Sequence, residues 1–199
     1  QGATWINGED GLQHKGSVGK AMEGCQLKIV DEEGNCAISG EIGGVYFLPD
    51  DGAGSTYFYI GAQVEAIKGG WETAGDLGYL DEDGYLYLVD RKKDMIISGS
   101  ANIYPAEVEG AIDSHPCVRS SVVIGIDDDD LGQIVHAIVD APNGLSREHL
   151  LDHLSKQIIR YKIPRSFECI KIPLRDDEGK VRRAKIALWL KENATTEFL

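Results

Sequence analysis

Over the first 90 residues apolar positions tend to alternate with polar ones, and glycines or acidic turns interrupt them every few residues, a pattern of short strands rather than helices. In Gln26–Asp31, Leu27 and Ile29 are set against Lys28, Val30 breaks the alternation, and the acidic turn Asp31–Asn35 follows. Glu41–Leu48 and Tyr57–Gly61 are further predicted strands, rich in Val, Ile, Tyr and Phe. Leu77–Leu80 and Tyr85–Val89 flank Asp81-Glu82-Asp83-Gly84, a strong hairpin signal. Short strands punctuated by glycine predict a small β-barrel or sandwich.

After Arg91 the texture changes. Pro105 suits a first helical turn, and Ala106–Ile112 places Val108, Ala111 and Ile112 on one face. Arg119–Ile126 and Ile134–Asp140 are apolar, β-branched runs joined by the acidic stretch Asp127–Asp130. Ser146 is the expected N-cap of a helix that repeats Leu150, Leu151, Leu154 and Ile158 at helical spacing. Phe167–Ile172 reads as a strand and Ala184–Lys191 as a final helix, so this half is α+β.

Charge divides the chain in the same region. Residues 1–90 carry 16 acidic and 4 basic side chains, a net of -12, whereas residues 91–199 carry 17 and 16, a net of -1. Residues 156–191 alone hold 11 basic and 4 acidic groups, a net of +7. Such a break predicts two domains, 1–90 and 91–199. An overall charge of -13 argues against a general nucleic-acid binder. No apolar run approaches the roughly 20 residues of a membrane span. Gln1 opens no signal peptide, and the missing initiator Met with a start inside a polar segment suggests a piece of a longer protein. Cys25, Cys36, Cys117 and Cys169 are widely spaced, which predicts neither a zinc site nor a disulfide framework and suits a reducing, cytoplasmic location.

Three segments carry candidate chemistry. Asp76, between Gly75 and Gly78 at the mouth of a strand, could accept two hydrogen bonds from a vicinal diol such as a ribose, or serve only its own turn. Arg91, Lys92 and Lys93 form a basic knot at the charge boundary, and Ser98–Asn102 is a turn that lets backbone approach a ligand; solvated linker charges are the plainer reading. Lys180 follows the turn Asp176–Gly179, where its ammonium could neutralise phosphate and carboxylate charge or simply be solvated.

In order and spacing, these segments resemble the C-terminal part of the adenylate-forming family, which includes acyl- and aryl-CoA synthetases, peptide-synthetase adenylation domains and luciferases. The string D-M-I-I-S-G-S-A-N-I-Y-P-A-E-V-E is similar to the acyl-CoA synthetase branch, and G-S-V-G-K at Gly16–Lys20 extends the resemblance over nearly the whole chain. The resemblance implies a β-rich last subdomain of a large domain, followed by a mobile α+β lid. It implies an acid–thiol ligase that makes an acyl-adenylate from ATP and a carboxylate and then a thioester with CoA, with ATP, Mg²⁺ and CoA as substrates and cofactor. Asp76 would bind the ribose hydroxyls and Arg91 the ribose and phosphates. Lys93 would be the hinge about which the lid turns between half-reactions. Lys180 would be the catalytic cation at the α-phosphate and carboxylate, and the loop of Gly99 and Ser100 would help form the channel for the pantetheine arm. Tyr57–Ala62 and P-L-R-D-D-E-G-K-V-R-R resemble the subgroup for fatty or bile-acid-like carboxylates. Homo-oligomerisation, if any, would run through the missing large domain.

Two positions depart from the family pattern. Ala74 precedes Gly75 where Thr-Gly-Asp is usual, with Thr73 one place early, and Ser100 follows Gly99 where Gly-Gly is usual. The family's phosphate-gripping loop and the glutamate that holds Mg²⁺ would both lie upstream, so the 199-residue chain alone is expected to be inactive. Two alternatives remain open at this point: an adenylating enzyme with a non-CoA acceptor, and a non-catalytic interaction module built on the lid.

Overall fold

The computed structural model describes residues 4–50, 65–67, 69–170, 174, 183 and 186. It divides into two compact units, Gln1–Lys93 and Asp94–Leu199. The expected strand Tyr57–Gly61 and the Lys180 turn lie outside the described residues, as does most of the expected last helix; Arg183 and Ile186 are described and helical.

In the first unit the strands are β1 (Thr4–Trp5), β2 (Lys20–Ala21), β3 (Cys25–Val30), β4 (Gly43–Pro49), β5 (Glu65–Ile67), β6 (Trp71–Thr73), β7 (Asp76–Leu80) and β8 (Leu86–Arg91). β4 is the middle of the main sheet. β3 pairs along one flank of it, from Cys25↔Pro49 to Val30↔Gly44, while β6 and β7 follow one another along the other. β5 pairs with β6, and β8 with β7. Among the described residues β3 meets neither β5 nor β8, so these strands form an open sheet and not a closed barrel, the first of the two expected forms. The outer edge of β8 is instead covered locally, where Leu86 bonds Val18 and Gly19 through the backbone at 2.8 Å each. Ile29, Val45 and Leu86 form the core, with Leu27, Phe47 and Leu80 packed around it. Ile29 and Val30 are both buried, which accounts for the broken alternation in β3.

A short helix, α1 (Gly8–Gln13), was not legible, because Gly8-Glu9-Asp10-Gly11-Leu12-Gln13 has no apolar repeat and buries nothing. Local capping supports it: the Asn7 side chain accepts a hydrogen bond from the Asp10 amide at 2.8 Å.

The second unit contains β9 (Ile96–Ser98), β10 (Ala101–Ile103), α2 (Pro105–Asp113), β11 (Ser120–Asp128), β12 (Gly132–Asp140), α3 (Arg147–Ser155) and β13 (Ser166–Ile170). β11 and β12 form a long hairpin, register Ser120↔Asp140 to Asp128↔Gly132. β13 lies parallel to β12, a pairing that needs a crossover, and α3 supplies it. Val108, Ala111 and Ile112 of α2 and Leu150 and Leu154 of α3 pack with Val123, Val135, Ala137 and Val139 in one core. The Ser146 side chain caps α3 by accepting from the His149 amide at 3.2 Å. This helix stops at Ser155, before Ile158, and a 3-10 turn (Arg160–Lys162) leads to Pro164; the residue before a proline is driven to the extended conformation seen at Ile163, ψ 129°. No helix among the described residues is long and apolar enough to cross a membrane.

Candidate functional site

The β7–β8 hairpin decides where two of the expected site residues sit. Its turn is closed by Asp81, whose Oδ1 accepts from the amides of Asp83 at 3.0 Å and Tyr85 at 2.8 Å, with Gly84 at φ 81°. That register brings Asp76 opposite Arg91 at the far end, after an irregularity between Leu77 and Gly78. Gly78 is required there, because a Cβ would lie 2.5 Å from the Tyr87 carbonyl oxygen. Arg91 Nε then stands 3.3 Å from Asp76 Oδ1, with the two side chains 57% and 29% exposed. An ion pair that long and that open is weak, so a ligand can displace it at little cost.

The turn before Asp76 explains the early threonine. Gly75 adopts φ 81°, its amide donates to Thr73 Oγ1 at 3.0 Å, and its carbonyl accepts from the Lys92 amide at 2.8 Å. Thr73 is buried and its hydroxyl serves this turn. The Gly75 contact ties the base of β7 to Lys92, one residue before the exposed Lys93 that ends the first unit.

Gly99 and Ser100 occupy the tip of the β9–β10 hairpin in the second unit, where Ser98 pairs with Ala101. Gly99 has φ 61°, and no non-glycine residue among those described has a positive φ. A glycine at the first central position alone is the pattern of a type II′ turn, so Ser100 replaces glycine without backbone strain. The Gly99 amide is held by the Leu131 carbonyl at 2.8 Å, and both Gly99 and Ser100 are exposed. The hairpins of Asp76–Arg91 and Gly99–Ser100 thus stand in different units, and Lys180 lies outside the described residues.

A further cluster escaped the sequence reading. Glu109 is 6% exposed on the buried face of α2, and its Oε1 and Oε2 each lie 2.7 Å from Arg183 Nη2. Glu109 Oε1 also accepts from the Val123 amide of β11 at 2.9 Å, and Arg183 Nη1 is 3.8 Å from Asp94. The available signal was a carboxylate among the apolar residues of an amphipathic helix, which demands a cation. At the turn of the first unit, burial works to raise the Asp81 carboxyl. The Tyr85 amide, the His14 ring and the Tyr87 hydroxyl outweigh it and hold that carboxyl below its ordinary value. Tyr85 stacks on His14 with centroids 3.7 Å apart and forms part of a separate cavity of about 300 Å³ with Trp5, Lys20 and Met22. Among the described residues, no group of three or more His, Cys, Asp or Glu side chains is placed to hold a metal ion.

Residues 107–180 match the AMP-binding enzyme C-terminal domain family. The chain belongs to the adenylate-forming family, as a counterpart of the C-terminal portion of its members. A 2-succinylbenzoate–CoA ligase of Bacillus cereus is 38% identical to it over 163 residues, 77% of this chain and 32% of that protein. The o-succinylbenzoate CoA synthetase of Bacillus subtilis, solved with its acyl-adenylate intermediate, superposes with a TM-score of 0.80 at 33% identity, covering 92% of this chain and 38% of that one. The same enzyme with ATP and a magnesium ion gives 0.78, again at 33% identity with 92% and 38% covered. An amide bond synthetase from Marinactinospora thermotolerans gives 0.72 at 30% identity, with 88% and 36% covered. The chain therefore spans about a third of the length of the curated relative it matches.

The comparisons correct one expectation. These relatives are named for succinylbenzoate, not for a fatty or bile acid. Tyr57–Ala62, one of the two segments that suggested that subgroup, lies outside the described residues. The other, residues 173–183, lies almost wholly outside them as well.

Proposed function

We propose that this chain is the C-terminal portion, lid included, of an ATP-dependent, AMP-forming acid–CoA ligase whose acid is an aromatic keto-carboxylate of the succinylbenzoate kind. The observation that carries the reading is the Asp76–Arg91 pair, held at the base of the β7–β8 hairpin immediately before the boundary between the units. The succinylbenzoate ligases among the relatives support the choice of acid and of CoA.

On this reading Asp76 accepts hydrogen bonds from both ribose hydroxyls, exchanging its weak contact with Arg91 for a charge-assisted diol contact. Arg91, released from that contact, turns its guanidinium to the ribose and phosphates. Lys180 brings an ammonium to the α-phosphate and substrate carboxylate. There it offsets charge as the carboxylate oxygen attacks the α-phosphorus, the phosphoanhydride bond breaks and pyrophosphate departs. Magnesium bound with the nucleotide supplies further charge neutralisation on the phosphates. The second half-reaction needs another surface at the same carbonyl, and rotation about Lys93 brings the Gly99–Ser100 hairpin there. The CoA thiolate then attacks the carbonyl carbon, a thioester forms, and AMP leaves with the bonding pair.

The test is Lys180→Ala in the full-length protein. Acid-dependent ATP–pyrophosphate exchange should fall by about a hundredfold or more, while thioester formation from supplied acyl-adenylate is retained. Equal loss of both half-reactions would remove Lys180 from its assigned step. A second reading keeps adenylation and replaces CoA by an amine, favoured by the likeness to an amide bond synthetase and by Ser100 at the expected thioester loop. AMP release that depends on an amine and ignores CoA would select it.

A further inference from the structure

The Gly99–Ser100 hairpin is joined to its neighbouring strand at few points, and one of them is a side chain. Among the described residues β9 pairs with β12 at a single position, Gly132↔Ser98. Beyond that pair the Gly99 amide donates to the Leu131 carbonyl at 2.8 Å, and the Leu131 amide donates in turn to Asp128 Oδ1 at 2.9 Å. Before it, the Ile97 amide donates to Gln133 Oε1 at 3.1 Å, so a side-chain oxygen continues the ladder where the strand pairing stops. Gln133 can lie there because β11 carries a glycine beside it. A Cβ on Gly125 would come within 3.0 Å of Gln133 Cδ and Nε2 and within 3.1 Å of its Oε1. Ile96 and Ile103 bury the base of the hairpin, whereas Ile97, Gly99 and Ser100 are exposed. Beyond its base the tip is therefore held by hydrogen bonds rather than by burial.

We propose that Gln133 is a positioning residue for thioester formation: its side-chain carbonyl, seated over Gly125 and bonded to the Ile97 amide, sets the angle at which the Gly99–Ser100 tip is presented. This rests on the reading that the tip serves the CoA half-reaction. Two adjacent attachments, at Ser98 and Gly99, leave a short hairpin free to pivot about them, and a third at Ile97 removes that freedom. Reaction rates are sensitive to small displacements of positioning groups, so a loosened tip slows the step it serves. A neutral hydrogen bond contributes little to net stability, so its loss moves the tip without unfolding the unit. Adenylation does not use the tip on this reading and is indifferent to its angle.

The test uses two variants that break this bond from opposite sides, both made in the full-length protein with each half-reaction measured separately. Gln133→Met keeps the length of the side chain and loses the acceptor; the bond is exposed, so water can take up the Ile97 amide. Gly125→Ala leaves Gln133 in the chain and displaces its amide, and Gly125 is not among the glycines of positive φ, so alanine suits the backbone. Each should lower the rate of CoA transfer from supplied acyl-adenylate by about tenfold, with ATP–pyrophosphate exchange within about threefold of the parent. Combining them should cost little more than either alone, because both remove one bond. A purely structural role would lower both half-reactions together, and that result overturns the proposal. Unchanged transfer in both variants overturns it as well. Ser100→Trp examines the reading beneath, and should slow transfer by about a hundredfold by placing bulk on the tip. Transfer that ignores Ser100→Trp removes that reading and the positioning role with it, whereas transfer lost in Ser100→Trp and kept in Gln133→Met and Gly125→Ala removes the positioning role alone.

Discussion

Gly99 and Ser100 are adjacent on the same hairpin tip, yet the structure asks different things of them. Gly99 holds φ 61°, where a side chain is strained, while Ser100 does not have a positive φ. Gly99→Ala should therefore destabilise the protein by about 1–3 kcal/mol. Ser100→Gly, which restores the family's usual pair, should cost no more than about 1 kcal/mol, through a more flexible unfolded chain. Urea denaturation of both variants checks the ranking, and a larger loss for Ser100→Gly would show that the turn has been assigned wrongly. The same residue-level view separates what could be read beforehand from what could not. Asp76 and Arg91 as cross-strand partners follow from one legible signal, the Asp81–Gly84 turn, which fixes the register of everything behind it. Thr73 capping the Gly75 amide does not follow from composition, since a hydroxyl one place early reads equally well as a misplaced ligand.

At the scale of elements, the parallel β12–β13 pair contains a buried histidine whose charged form is disfavoured. His136 is 5% exposed, its Nδ1 is 2.8 Å from Ser166 Oγ, and its Nε2 is buried with no partner among the described residues. Burial pushes its pKa below the ordinary histidine value. The unfolded chain therefore binds the proton more readily than the folded one. Stability from this group is complete above the unfolded pKa of about 6.5 and is lost as pH falls below it. Burial, then the neighbouring His153 and His149 rings, lower His115 in the same direction, so a slope remains when His136 is removed. Denaturant midpoints from about pH 7.5 to 5.5 should fall with pH in the parent and fall less steeply in His136→Leu; parallel slopes would mean that His136 titrates as freely when folded as unfolded. Elements with a strong apolar period, such as α2 and α3, were legible together with their buried faces. Two features were hidden: α1, held by an asparagine cap with no apolar period to mark it, and the end of α3, which falls at Ser155 although the apolar spacing runs on to Ile158.

For the whole molecule, the division at Lys93 leaves 16 acidic and 7 basic side chains in residues 1–93, a net of -9, against 17 and 13 in residues 94–199, a net of -4. Each unit has its own buried cluster, the smaller one around Ile29, Val45 and Leu86 and the larger one beneath α2 and α3. Separate cores let each unit hold its fold by itself. Catalysis asks for more than folded bodies. Adenylation gathers a triphosphate and a carboxylate at one phosphorus, and that charge has to be offset where they meet. The chain also covers only 32% of the Bacillus cereus ligase. The 199-residue chain by itself is therefore expected to fold and to release no pyrophosphate when given ATP, magnesium and an aromatic keto-acid. Circular dichroism with a cooperative denaturation curve establishes the first half, and a coupled pyrophosphate assay the second. Acid-dependent pyrophosphate release from the isolated chain would place a complete adenylating site within these residues and overturn the division of work proposed for them.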